Sequence, residues 1–242
     1  MKKTILLVPF LAVGVAFATG ENSGTTVEGQ NAIGVLEVAA SSKPTTVLLS
    51  VPFTGYGDGN DLKASELVAK ETLLENTILR VAVPSVGGYY SWKLTSQKWQ
   101  PVNPIVIERD GEGEITTPEA DTVSVGRGNS FWLELPSSLG GGDKITLIGQ
   151  QDTSEKGSIS LSGKKWNLVG NPNVEGFNVA GKIANPDSGD YISVQNGATG
   201  KLKTYFYNGS QWIYNRQAFD SVTLNPGDGC WIYVQTGTVL NF

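Results

Sequence analysis

The sequence predicts a mainly β protein made of two tandem related β-rich units, sandwich-like or barrel-like, with one short helix in the first connection. Its apolar segments are short Val-, Ile-, Tyr- and Trp-rich runs, cut repeatedly by 30 Gly, 11 Pro and many Asn and Asp residues, the pattern of strands separated by tight turns. A segment also recurs. Asp121-Thr-Val-Ser-Val-Gly-Arg-Gly-Asn-Ser-Phe-Trp132 returns as Asp220-Ser-Val-Thr-Leu-Asn-Pro-Gly-Asp-Gly-Cys-Trp231, each a short strand, a Gly-containing turn and a strand opening on an aromatic.

From the N-terminus, Lys2 and Lys3 precede the apolar run Ile5–Phe17, and Ala16-Phe17-Ala18 supplies a small-x-small cleavage pattern. Residues 1–18 therefore read as a secretory signal peptide, with the mature chain starting at Thr19. The run is shorter than the ~20 residues a spanning helix needs, so no membrane span is expected after cleavage. Residues 19–43 read as a flexible leader followed by a first strand. Unit 1 covers 44–150 and unit 2 covers 158–242.

Within the units, Val47-Leu-Leu-Ser-Val-Pro52 corresponds to Asn167-Leu-Val-Gly-Asn-Pro172, each an apolar strand stopped by Pro. Asp61 is placed to cap a helix over Leu62–Lys70, in which Ala64, Leu67 and Val68 share a face; a weaker counterpart is Phe177–Ala184. Tyr90-Ser-Trp92 leading into Trp99 matches Tyr205-Phe-Tyr207 leading into Trp212. Both read as hairpins, with the first turn two residues longer and Asn208-Gly209 a strong turn signal in the second.

Composition removes most chemistry. The chain has 242 residues, no His and one Cys, which excludes Ser-His-Asp and Cys-His catalysis, His-ligated metals, an internal disulfide and Cys-based clusters. No cofactor and no metal site are expected; Asp58-Gly-Asn-Asp61 and Asp110-Gly-Glu-Gly-Glu114 have the oxygen donors for Ca²⁺ but not the twelve-residue EF-hand spacing, and read as solvated loops. The net charge of −5, without a basic run, argues against nucleic acid as a partner. Cys230 alternates with Ile232 and Val234 and reads as a small buried apolar residue.

The set Trp166-Asn-Leu-Val-Gly-Asn-Pro172, Tyr205-x-Tyr207, Trp212 and Leu224-Asn-Pro-Gly-Asp-Gly-Cys-Trp231 resembles the verrucomicrobial-type family of uncharacterised secreted proteins, and units near the C-termini of Bacteroidetes surface proteins. The resemblance implies export and a β fold. It supplies no catalytic residue. In the first unit it holds only at the hairpin and the final strand, where Val51-Pro52 stands for Asn171-Pro172 and Arg127 for Pro226.

Two constellations remain. The repeated aromatics Tyr90, Trp92, Trp99, Trp132, Tyr205, Tyr207, Trp212 and Trp231, with Asn208, Gln211 and Asp228 as polar neighbours, suit the stacked face and hydroxyls of a sugar; the competing role is core packing. Alternation places Phe131, Leu133 and Leu135 on one face and Trp132 with Glu134 on the other, and likewise Trp231 with Tyr233 and Gln235. The expected partner is a glycan or glycoprotein, with self-association as an alternative. The paired Asp121 and Asp220 point to an aspartic-protease-type hydrolase of extracellular glycoproteins such as mucin, with two carboxylates sharing a proton. That motif wants Gly after Thr or Ser, whereas Val123 and Val222 stand there; Asp187-Ser188-Gly189 keeps the triplet but lacks a preceding apolar strand. Turn chemistry is the competing role of these residues.

Overall fold

The computed structural model describes residues 33–39, 46–55, 61–83, 88–102, 116–136, 144–151, 157–195 and 201–242. The signal and most of the leader, like the loops at Asp58 and at Asp110–Glu114, lie outside them. The first unit contains β1 (Ile33–Ala39), β2 (Thr46–Ser50), β3 (Leu62–Lys63), β4 (Ile78–Val83), β5 (Gly88–Thr95), β6 (Lys98–Pro101), β7 (Ser124–Val125), β8 (Ser130–Glu134) and β9 (Lys144–Gln150). The second contains β10 (Ser158–Leu161), β11 (Lys165–Gly170), β12 (Phe177–Asn178), β13 (Tyr191–Gln195), β14 (Leu202–Tyr207), β15 (Trp212–Tyr214), β16 (Gln217–Phe219), β17 (Thr223–Leu224), β18 (Gly229–Val234) and β19 (Thr238–Asn241). The protein is mainly β, as its alternating pattern predicts.

The strand order repeats. A five-stranded antiparallel sheet β2-β8-β4-β5-β6 has its counterpart in β11-β18-β13-β14-β15, to which β16 is added at the edge. The ribbons β3-β7 and β1-β9 recur as β12-β17 and β10-β19. Because β1 pairs with β9 over its whole length, the strand set of the first unit starts at Ile33. Each sheet buries one face under its ribbons. Leu49, Phe131, Leu133, Leu79, Trp92 and Leu94 meet Ile145 and Leu147 in the first core, and Val169, Ile192, Cys230, Ile232 and Val234 meet Leu240 in the second. Alternation along β8 buries Phe131 and Leu133 and leaves Trp132 and Glu134 half-exposed, as period-two side chains require.

Two local expectations are corrected. The Leu62–Lys70 helix is absent: Leu62–Lys63 is a strand pairing with Ser124–Val125, followed by 3-10 turns at Ala64–Glu66 and Lys70–Thr72. Phe177–Asn178 and Ala180–Lys182 repeat this strand-then-turn form. Leu62, Ala64, Leu67 and Val68 are all buried, so a tightly folded connection produces the spacing that resembles a helix face. Second, Trp99 pairs with Leu94 and Trp212 with Tyr207, so both hairpins have the same span. Cross-strand register therefore makes Trp92 equivalent to Tyr205 and Leu94 to Tyr207, two residues from the alignment the aromatics suggested. A slip of two residues preserves the face and so leaves no trace in the alternation. The first hairpin closes on a two-residue turn in which Ser96 and Gln97 have φ of 51° and 61°.

The units meet about an approximate two-fold axis. Ser50 N–H donates to Gly227 O at 2.9 Å, and its equivalent Gly170 N–H donates to Gly128 O at 2.8 Å. The bridge between Leu49 and Asp228 is likewise repeated by that between Val169 and Asn129. Trp132 and its equivalent Trp231 pack on each other, centroids 6.0 Å apart. Facing rows differ in size: Ser50 pairs with Ser130 in one sheet, and Gly170 with Gly229 in the other. The arrangement is that of an isologous dimer within one chain. Among the described residues no helix is long and apolar enough to cross a membrane.

Candidate functional site

The second sheet carries aromatic side chains on the face opposite its core. Trp166 on β11 lies opposite Tyr233 on β18, Tyr233 opposite Tyr191 on β13, and Tyr191 opposite Phe206 on β14. Successive ring centroids are 5.6, 6.1 and 5.4 Å apart. Four neighbouring strands give the row a length of about 14 Å. Trp166 is 49% exposed and the other three half-buried. Beside this row, and on the same face, lie Trp231, Ser193 and Thr204, the last two joined through their hydroxyls at 2.9 Å. The corresponding row of the first sheet is Thr46, Glu134, Ile78 and Lys93. Only the second unit has the aromatic platform.

Trp166 and Trp231 also reach a cleft of about 620 Å³ between the units, whose other walls include Tyr89, Asn129, Ser160 and Lys165. This volume falls in the usual range for small-ligand sites.

The predicted aromatic site divides by burial. Trp92, Trp99, Tyr205 and Trp212 are at most 7% exposed and belong to the two cores, so they have no face to offer a ligand. They recur because both units fill the same interior. Trp92 Nε1 further donates to Pro118 O at 2.6 Å. Tyr90 packs edge-on against Trp92 at 6.1 Å, and Tyr207 lies 5.1 Å from Trp212; both are half-buried against their cores. Trp132 and Trp231 stand off the core with Glu134 and Tyr233, as alternation predicts, but cover each other at the axis.

The polar neighbours are structural in their bonding. Asn208 Oδ1 accepts the N–H groups of Ser210 and Gln211 at 3.0 and 2.9 Å and so holds the hairpin turn; Gln211 is exposed in that turn. Asp228 Oδ2 accepts both the backbone and side-chain N–H of Asn225, each at 3.0 Å. Burial pushes the Asp228 carboxyl above its ordinary range, with the Asn225 bonds pulling the other way. Cys230 is fully buried; burial, then the Asp228 charge, push its thiol up, which keeps it protonated and unreactive. Two asparagines of the family-like motif are also structural. Asn171 Nδ2 donates to Glu175 O and Leu224 O at 2.6 and 3.2 Å while its Oδ1 accepts Asn173 N–H. Asn167 is tied to Ser162 and Ile232.

The aspartates are dispersed among turns. Asp121, Asp187 and Asp220 are all exposed, and among the described residues no hydrogen bond joins any two of them. The buried carboxylate in this region is Asp190, 1% exposed, whose oxygens accept Asp187 N–H at 2.9 Å and Gln235 N–H at 2.8 Å. It anchors the turn before β13.

Trp166, Tyr191 and Phe206 are the site residues that sequence reasoning missed as a group. Their signal is parity: each is out of phase with the core residues of its own strand. Joining them requires the pairing of β11, β18, β13 and β14. The chain matches no family model, no curated protein and no solved structure, so the family resemblance rests on its motif residues alone.

Proposed function

We propose that this is an exported glycan-binding module, acting without catalysis, that stacks a sugar chain along Trp166, Tyr233, Tyr191 and Phe206. The observation that carries the reading is the continuous aromatic row on the outer face of the second sheet, exposed at its Trp166 end. A pyranose offers an apolar C–H face to such rings and hydroxyls to groups beside them, here the exposed Thr204. Rigid strands set the rings before a ligand arrives, which lowers the ordering cost of binding. The reading replaces the buried hairpin aromatics with their neighbours on the opposite face. The partner class of this reading is a glycan, free or carried on a glycoprotein.

The test is retention on a broad glycan array and on immobilised mucin, with Trp166→Ala as the variant. Removing one stacking ring costs binding about 1.4 kcal/mol, roughly tenfold in affinity, while the exposed position leaves the fold intact. Absence of retention on any glycan, or retention indifferent to Trp166, refutes the proposal.

A further inference from the structure

Each sheet presents one outer strand to the neighbouring unit, β2 in the first and β11 in the second. Alternate residues of an outer strand turn both N–H and C=O away from their own sheet. In β2 the side chain of Gln195 meets two of these groups. Gln195 Oε1 accepts Leu48 N–H at 2.9 Å, and Gln195 Nε2 donates to Thr46 O at 2.9 Å. The two-fold relation carries Leu48 to Leu168, Thr46 to Trp166 and Gln195 to Ala82, whose methyl group neither donates nor accepts. Apart from the bridge at Val169, no described backbone pairs with this edge of β11. The cleft lies along it, with Ala82, Tyr89 and Trp231 among its walls.

The carboxamide of Gln195 is a side-chain copy of a peptide group. The C=O of one edge residue and the N–H two residues on are the pair that one residue of an added strand engages with its own N–H and C=O. We propose that an extended peptide segment of a partner protein adds to the β11 edge in this cleft. One of its N–H groups donates to Trp166 O, the C=O of the same residue accepts Leu168 N–H, and alternate side chains lie against Tyr89 and Trp231. The inference goes beyond glycan stacking and does not rest on it.

The test pans a random-sequence linear peptide library displayed on phage against the full chain. The strongest binder is then synthesised unmodified and with N-methyl groups at its central residues. N-methylation and Ala82→Gln, which supplies the missing carboxamide, should each weaken binding by about tenfold or more. Hydrogen exchange at Leu168 should slow when the unmodified peptide is added, whereas Leu48 is protected throughout. The N-methyl arm uses the unaltered protein, so the outcome does not depend on how Ala82→Gln folds. A library without binders, or a binder indifferent to both changes, overturns the proposal. A dimer in sedimentation that Ala82→Gln dissolves assigns the edge to a second copy and overturns it equally.

Discussion

Gly170 sits where the two units are in close contact, and Gly170→Ala probes that packing. A Cβ placed there lies 2.7 Å from Ser130 Oγ and 2.8 Å from Ser50 Cα, with Ser50 Cβ nearer still. The hydroxyl can turn aside, but Ser50 Cα belongs to a strand paired along its length with β8, so relief requires the sheets to part. Overpacking of this kind costs about 1–3 kcal/mol. At roughly 2–4 °C per kcal/mol for a chain of this size, a 2 kcal/mol cost lowers Tm by about 4–8 °C. Ser50→Gly removes the nearest obstructing atom and by itself costs about 0.5–1 kcal/mol through chain entropy. If the contact is as described, the double variant is more stable than the sum of the single effects predicts, by about 1 kcal/mol or more. Calorimetry on the four proteins of the cycle measures this coupling. Additive effects, or a Gly170→Ala protein melting with the parent, would refute the packing of the axis.

Trp92→Ala should cost about 3–5 kcal/mol in urea unfolding, because the ring is 0% exposed, whereas Trp166→Ala should cost less than about 1 kcal/mol; the reverse order would contradict the assignment of core and platform. Ser96→Asn with Gln97→Gly should raise stability by about 1 kcal/mol, since both residues hold positive φ in a turn that favours Asn-Gly; an unchanged midpoint counts against that turn geometry. Asp228→Asn should stabilise the protein at neutral pH, with a gain that vanishes below about pH 3. Burial raises the folded carboxyl above its unfolded value, so as pH rises the unfolded chain ionises first and the folded state loses stability. The new amide can make the bond its equivalent Asn129 makes from Nδ2 to Gly126 O at 2.9 Å. A variant destabilised at neutral pH would refute this accounting.

The β character was legible because alternation acts within one strand: Phe131 and Leu133 point inward for the same reason that Trp132 and Glu134 do not. Duplication was legible too, since the turns Gly126–Asn129 and Asn225–Asp228 both need Gly at their third position, where Gly128 and Gly227 hold φ of 82° and 83°. The same repetition misdirected the site. Matched positions are matched by the core they share, so Trp99 and Trp212 are both interior. The platform is unmatched and spans strands far apart in sequence, and its rows become visible only once register is known. The false helix over Leu62–Lys70 has a similar origin, because a compact connection of 3-10 turns can bury residues at helical spacing without an α-helix.

The two-fold relation also explains why the units are joined in one chain. Identical units around such an axis must present identical rows, either Ser-Ser against Ser-Ser or Gly-Gly against Gly-Gly. The first crowds four side chains where Gly170 has no room for one methyl group, and the second leaves a void at that contact. Fusion allows Ser50 and Ser130 to fill the space left by Gly170 and Gly229. It likewise frees the edges of β2 and β11 to differ. In a dimer of identical units, Gln195 would close both strand edges or neither, and an aromatic row would appear twice. Within one chain, Gln195 closes the edge of β2 while Ala82 leaves that of β11 open, and the platform stands beside the open side. Repeating the backbone bonds where the units meet, while letting side chains diverge across the axis and beside the cleft, is how a duplicated fold produces a single asymmetric surface.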